Sequence, residues 1–155
     1  MDVLKFAIEM ERDGERYYRK QARDNKDNAL AVVFAALADD EKTHAALIEK
    51  RLAGLPAEAD TAQKTRQNVF DVAEDFKSAI DHKQLDVYRT ALEMEEKSVA
   101  LYKKLLDERP DDRALFSLLI EEEEKHFRVM ELLVRLIVRP EEWVESAEFG
   151  VREEY

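Results

Sequence analysis

The chain has 155 residues, 36 of them acidic and 25 basic, for a formal net charge of -11. That length suits one domain with a real core, and so acidic a chain argues against nucleic acid or an anionic membrane as partner, since either needs a clustered basic surface. Cysteine is absent, which removes disulfides, zinc ribbons, iron-sulfur clusters and thiolate nucleophiles, so any metal must be held by oxygen and nitrogen.

No apolar run approaches the roughly 20 residues of a membrane span, and no charged-then-apolar leader opens the chain. A soluble, cytoplasmic protein without membrane contact is therefore expected. With three Gly and three Pro among abundant Ala, Leu, Glu, Lys and Arg, the composition is that of long helices.

The first predicted helix starts at Leu4 and carries Ala7, Ile8, Glu11, Gly14, Tyr18 and Ala22 at helical spacing, ending before Asp24. Asp27-Asn28 offers an N-cap for a second helix. Its inner stripe is Leu30, Val33, Phe34, Leu37, Glu41, His44, Ala45, Ile48 and Leu52, and Gly54 with Pro56 stops it. A long connection follows over about 54–84, polar and Ala-rich at first, then with a short amphipathic piece from Val69 to Ile80. Its length fits a crossover, because antiparallel neighbours need only a few linking residues. The third helix presents Tyr88, Ala91, Leu92, Glu95, Ser98, Val99, Tyr102, Leu105 and Leu106 on one face. Pro110-Asp111-Asp112 makes a stop and restart, and the fourth helix brings Phe116, Leu119, Glu123, His126, Met130, Leu133 and Ile137 to one side. Arg139-Pro140 ends it. The expected architecture is all-α: a four-helix bundle over 1–139, made of two antiparallel hairpins joined by the crossover, and a tail over 140–155.

The two hairpins repeat one another. Ala7-Ile8-Glu9-Met10-Glu11 with Tyr18 corresponds to Ala91-Leu92-Glu93-Met94-Glu95 with Tyr102, and each copy is followed by Glu-x-x-His, Glu41/His44 and Glu123/His126. Most acids of so acidic a chain must be solvated, but Glu11, Glu41, Glu95 and Glu123 sit within apolar stripes. Burying one unpaired carboxylate costs several kcal/mol, and four together require a counter-charge. Two divalent cations would supply it. In Glu-x-x-His the side chains one turn apart share a helical face, so the carboxylate can bridge two metals while the imidazole ligates one. The competing reading is a bundle whose core polar groups pair with one another or with Lys and Arg, but no inward basic residue repeats with them.

These motifs, Ala-x-Glu-Met-Glu-x-x-Gly-Glu-x-Tyr-Tyr and Asp-Glu-Lys-Thr-His, resemble the ferritin-like di-iron carboxylate superfamily, and most closely its rubrerythrin-related branch, over residues 2–138. The resemblance implies that Glu11 and Glu95 are terminal ligands, Glu41 and Glu123 bridging ones, and His44 and His126 the nitrogen ligands. It implies two iron ions, with manganese or zinc as other metals such a ligand set admits. Two departures stand out. Rubrerythrins proper carry a second ligating Glu on the third helix, about one turn beyond the first, where this chain has Ser98; the neighbouring Glu96 points elsewhere. They also carry an iron-sulfur rubredoxin domain, which a chain without cysteine lacks, so electrons would come from a separate redox protein.

The expected function is a non-haem di-iron oxidoreductase of peroxidase or ferroxidase type, acting on dioxygen or hydrogen peroxide, as a homodimer. The alternatives are iron storage in a ferritin-like cage, against which the short polar tail argues, and a structural bundle without catalysis. Around the site, Asp40 and Glu122 are either acceptors for a ligand His on the facing helix or solvated acids. Tyr18 and Tyr102 either donate to a bridging carboxylate, as parts of the catalytic apparatus with Glu41 and Glu123, or simply pack in the core. Gly14 and Ser98 leave room for a small oxidant or allow close helix approach. Of Glu121 to Glu124, only Glu123 is expected inside. His82 is read as a surface residue, and Trp143 and Phe149 as tail aromatics that dock on the bundle or on a second subunit.

Overall fold

The computed structural model describes residues 2–27, 29–55 and 82–138. Four long helices account for most of them: α1 (Val3–Asp24), α2 (Leu30–Leu52), α3 (Leu85–Glu108) and α4 (Arg113–Val138), with single 3-10 turns at His82–Gln84 and Pro110–Asp112. None of the described helices is long and apolar enough to cross a membrane. The crossover segment from Pro56 to Asp81 and the tail with Trp143 and Phe149 lie outside the described residues, as does the His82 side chain.

Local chemistry explains the ends. The Asp2 side chain accepts from the Leu4 N–H at 2.8 Å and caps α1. At the other end the Asn25 amide donates to Gln21 O and exchanges hydrogen bonds of 3.2 and 3.0 Å with the Gln84 amide, tying the α1–α2 turn to the start of α3. Gly54 has φ 79°, the left-handed conformation that lets Leu55 N–H reach back to Lys50 O at 2.8 Å and close α2. α2 begins behind Ala29, itself helical, and Asn28 of the expected Asp27-Asn28 cap lies outside the described residues. Pro110 opens its 3-10 turn at the position where a missing N–H costs nothing.

Cross-helix contacts give the directions. Arg12 pairs with Glu49 and Arg19 with Asp39, so α1 and α2 are antiparallel. Tyr18 meets Glu95 and Tyr102 meets Glu11, so α1 and α3 are antiparallel as well. His126 meets Asp40 while His44 meets Glu122, which sets α4 antiparallel to α2. It follows that α2 and α3 run parallel, with the end of one and the start of the other at opposite ends of the bundle. This is the four-helix bundle the sequence predicts.

Inward stripes agree residue by residue except at their margins: Leu52 is exposed, and Ala22, Leu92, Val99 and Leu106 are half-buried. The apolar core is divided. One cluster, around Tyr18, Phe34, Tyr88 and Leu133, fills one end; another, around Leu4, Ile48, Tyr102 and Phe116, fills the other. Between them lies a layer of buried acids and imidazoles.

Candidate metal centre

Each helix contributes to this layer from the middle of its buried stripe. Glu11 comes from α1, Glu41 and His44 from α2, Glu95 from α3, and Glu123 and His126 from α4, and all six are buried. Their ligand atoms form two groups in which every atom lies within 4.8 Å of the others: Glu11, Glu41, His44 and Glu123, and then Glu41, Glu95, Glu123 and His126. Glu41 and Glu123 belong to both. The structure thus brings together all six residues picked from the sequence, in two overlapping nests related by the repeat.

The imidazoles are oriented alike. Each turns Nδ1 toward the acids: His44 Nδ1 stands 2.9 Å from Glu123 and 3.3 Å from Glu11, and His126 Nδ1 stands 2.9 Å from Glu41 and 3.6 Å from Glu95. Each turns Nε2 outward to a buried acid on the facing helix, His126 to Asp40 at 2.9 Å and His44 to Glu122 at 3.5 Å. A carboxylate on the far nitrogen fixes ring orientation and tautomer, as ligating histidines require. Asp40 and Glu122 are fully buried, so the acceptor reading holds and the solvated one does not. The expectation that Glu123 alone of Glu121 to Glu124 lies inside is corrected accordingly. Glu122 turns in because position 122 faces α2 while position 123 faces the bundle axis.

The tyrosines act across the repeat. Tyr18 donates to Glu95 Oε1 at 2.7 Å and Tyr102 donates to Glu11 Oε2, so they serve the two unshared carboxylates and not, as expected, Glu41 or Glu123. Antiparallel packing of α1 on α3 is the reason: two turns past Glu11, Tyr18 is level with Glu95, and the reverse holds for Tyr102. Burial, with Glu95 beside one and Glu11 beside the other, pushes both phenols well above their usual pKa. They stay protonated and remain donors.

Electrostatics show what the layer lacks. Burial, together with Glu11 and neighbouring carboxylates, drives Glu41 and Glu123 well above the usual carboxyl range. Glu11 also suffers burial, but hydrogen bonds with Glu41, His44 and Tyr102 outweigh it and hold it below that range. Burial disfavours charge on both imidazoles, yet the surrounding acids raise them well above their usual value. Glu123 Oε1 has His44 Nδ1 beside it at 2.9 Å, but neither Glu123 Oε2 nor Glu95 Oε2 enters a hydrogen bond. Buried carboxylate oxygens without donors are costly. Cations among them would remove that cost, and an oxygen-and-nitrogen donor set of this kind fits divalent transition metals.

Ser98 and Glu96 behave as the sequence suggests. Glu96 is exposed, and Ser98 is buried with its hydroxyl donating to Met94 O at 3.1 Å, so α3 supplies one acid to the layer. Sequence reasoning passed over Met10 and Met94. They immediately precede Glu11 and Glu95, and with Gly14, Ser98 and Phe6 they line a cavity that opens beside the acids. Their identical place in the repeat was the available signal.

A comparison with curated proteins and one with solved structures found no match. The rubrerythrin family model matches residues 2–134. With that match across nearly the whole bundle, and with the doubled acid-imidazole nest at its centre, the chain belongs to the rubrerythrin family, within the ferritin-like di-iron superfamily.

Proposed function

We propose that this protein is a di-iron oxidoreductase that reduces peroxide or dioxygen, drawing electrons from Fe(II) or from an external one-electron donor protein. The observation that carries the reading is the sharing of Glu41 and Glu123 between two nests of four buried ligand atoms. In this reading Glu41 and Glu123, common to both nests, would serve both irons, with Glu11 and His44 helping to hold one and Glu95 and His126 the other. The bound metal pair supplies reversible one-electron chemistry. Reduction of hydrogen peroxide breaks the O–O bond and takes two electrons and two protons to give two waters.

The chain's own groups orient and neutralise. Asp40 and Glu122 hold the imidazoles with Nδ1 inward. Tyr18 and Tyr102 keep one oxygen of Glu95 and one of Glu11 occupied, leaving the other oxygen of each for a metal. Four carboxylates against two divalent cations make a neutral centre, which suits its burial between two apolar clusters.

Anaerobic Fe(II) titration should give two ions bound per chain, and Glu123→Ala should lose at least one. Exposure of the loaded protein to peroxide should develop the near-ultraviolet charge-transfer absorption of a ferric pair much faster than exposure to oxygen. Equal Fe(II) binding by wild type and Glu123→Ala would refute the assignment. Accumulation of many irons per chain in a large assembly would favour storage instead.

A further inference from the structure

Between α1 and α3 a cavity of about 410 Å³ runs from the surface down to Glu41 and Glu95. Its wall is predominantly apolar, with Phe6, Met10, Met94 and Leu101 in it beside the charged Asp13 and Lys97. Phe6 is 49% exposed at the mouth. This is more room, and far less polarity, than hydrogen peroxide or dioxygen needs. Water and peroxide gain nothing from thioethers and an aromatic ring, whereas an apolar substituent does, at about 25 cal/mol per Å² removed from water.

The deep end is different in kind. Gly14 and Ser98 flank it, and the Glu95 and Glu41 side chains close it against the acid layer. The Ser98 hydroxyl has Met94 O at 3.1 Å and Met10 Sδ at 3.7 Å to take its proton, so its lone pairs are left to accept. Such an end takes an O–H donor.

From this arrangement we infer that the cavity is the binding recess for an organic hydroperoxide, its alkyl or aryl group against Met10, Met94 and Leu101 and its O–O–H end at Ser98 beside Glu95. The assignment rests on the di-iron reading. Reduction breaks the O–O bond and takes two electrons, from the same one-electron donor, and two protons; it yields the alcohol and water.

Cumene hydroperoxide and its redox-inert product 2-phenyl-2-propanol are suitable probes. With methionine methyls labelled, the alcohol should shift Met10 and Met94 saturably in the NMR spectrum, leaving Met130 in the apolar core unmoved. Leu101→Trp, which fills the recess, should abolish those shifts. Phe6→Ser, at the exposed mouth, should weaken binding about tenfold, equivalent to about 1.4 kcal/mol. In Leu101→Trp the ratio of kcat/KM for cumene hydroperoxide to that for hydrogen peroxide should fall about tenfold. No saturable shift at Met10 and Met94, or binding that survives Leu101→Trp, would overturn the recess. So would shifts that fade as protein concentration rises, which mark the cavity as covered by a second copy of the chain. Iron loading without alcohol binding would refute the recess alone, and alcohol binding without iron loading would refute the hydroperoxide assignment through the reading beneath it.

Discussion

At Gly14 a single missing atom shapes the centre. A Cβ there would stand 3.0 Å from Glu41 Oε2, closer than ordinary van der Waals contact, while the equivalent place in the second hairpin accommodates Ser98. In a helix interior, Gly→Ala ordinarily gains about 0.5–1 kcal/mol. Gly14→Ala should therefore leave the metal-free protein as stable as wild type or slightly more so, because an unligated carboxylate can shift a few tenths of an ångström. With metal bound, Glu41 is held from both ends and cannot yield, so Fe(II) affinity should fall about tenfold, or about 1.4 kcal/mol. Melting curves of the metal-free proteins beside Fe(II) isotherms make the comparison; unchanged affinity would show that Glu41 is not held. The six metal-binding candidates were legible in the sequence because each is one step of a helical stripe. The tyrosine partners and the inward turn of Glu122 were not, because both depend on how neighbouring helices register, which no single stripe encodes.

Elements in this bundle are joined by short polar devices whose worth depends on pH. Asp112, buried in the turn between α3 and α4, takes Arg51 of α2 on one oxygen and Arg109 on the other, the latter at 2.9 Å. Burial alone would raise its pKa, but the two guanidiniums overcome it and hold the carboxyl below its usual value. A carboxyl depressed in the folded state adds stability that is fully present above its unfolded pKa of about 3.9 and is lost as pH falls through the folded value. Asp112→Asn should thus melt a few degrees below wild type at pH 7. The gap should close as pH is lowered past about 4, and a gap that persisted well below that range would exclude the ion pairs as its source. From sequence, Pro110-Asp111-Asp112 reads correctly as a stop and restart. That Asp112 also clamps α2 could not be read, because Arg51 lies 61 residues away along the chain and surface arginines are too common here to single one out. The Asn25–Gln84 amide pair that ties the α1–α2 turn to the start of α3 was hidden for the same reason, its partners being far apart along the chain.

Over the whole molecule, two apolar clusters pack well only if the acidic layer between them is tolerable. The hairpins and their doubled motif announced that layer in the sequence, since periodicity reports which face a residue occupies. The charge state of the layer is a collective property of four helices and could be seen only once they were assembled. Without metal, Glu41 and Glu123 are driven toward the neutral form by burial and by the carboxylates around them, so part of the folding free energy is spent on desolvated, poorly partnered groups. An ion that binds only the folded state stabilises it by RT ln(1 + [L]/Kd), about 2.7 kcal/mol per site at a hundredfold excess over Kd. For a domain of this size each kcal/mol is worth roughly 2–4 °C in Tm. Anaerobic Fe(II) should then raise the melting temperature by about 5–10 °C for one occupied site and further for two, and chelation should reverse the gain. Glu123→Ala distinguishes this from unspecific binding to an acidic surface. It removes one acid of 36 and so barely alters surface attraction, yet it takes a shared ligand from both nests. Its Fe(II)-induced shift should collapse to a small fraction of the wild-type value, while its metal-free Tm falls little or even rises, because burial and the acids around that carboxyl cost it more than its contact with His44 returns.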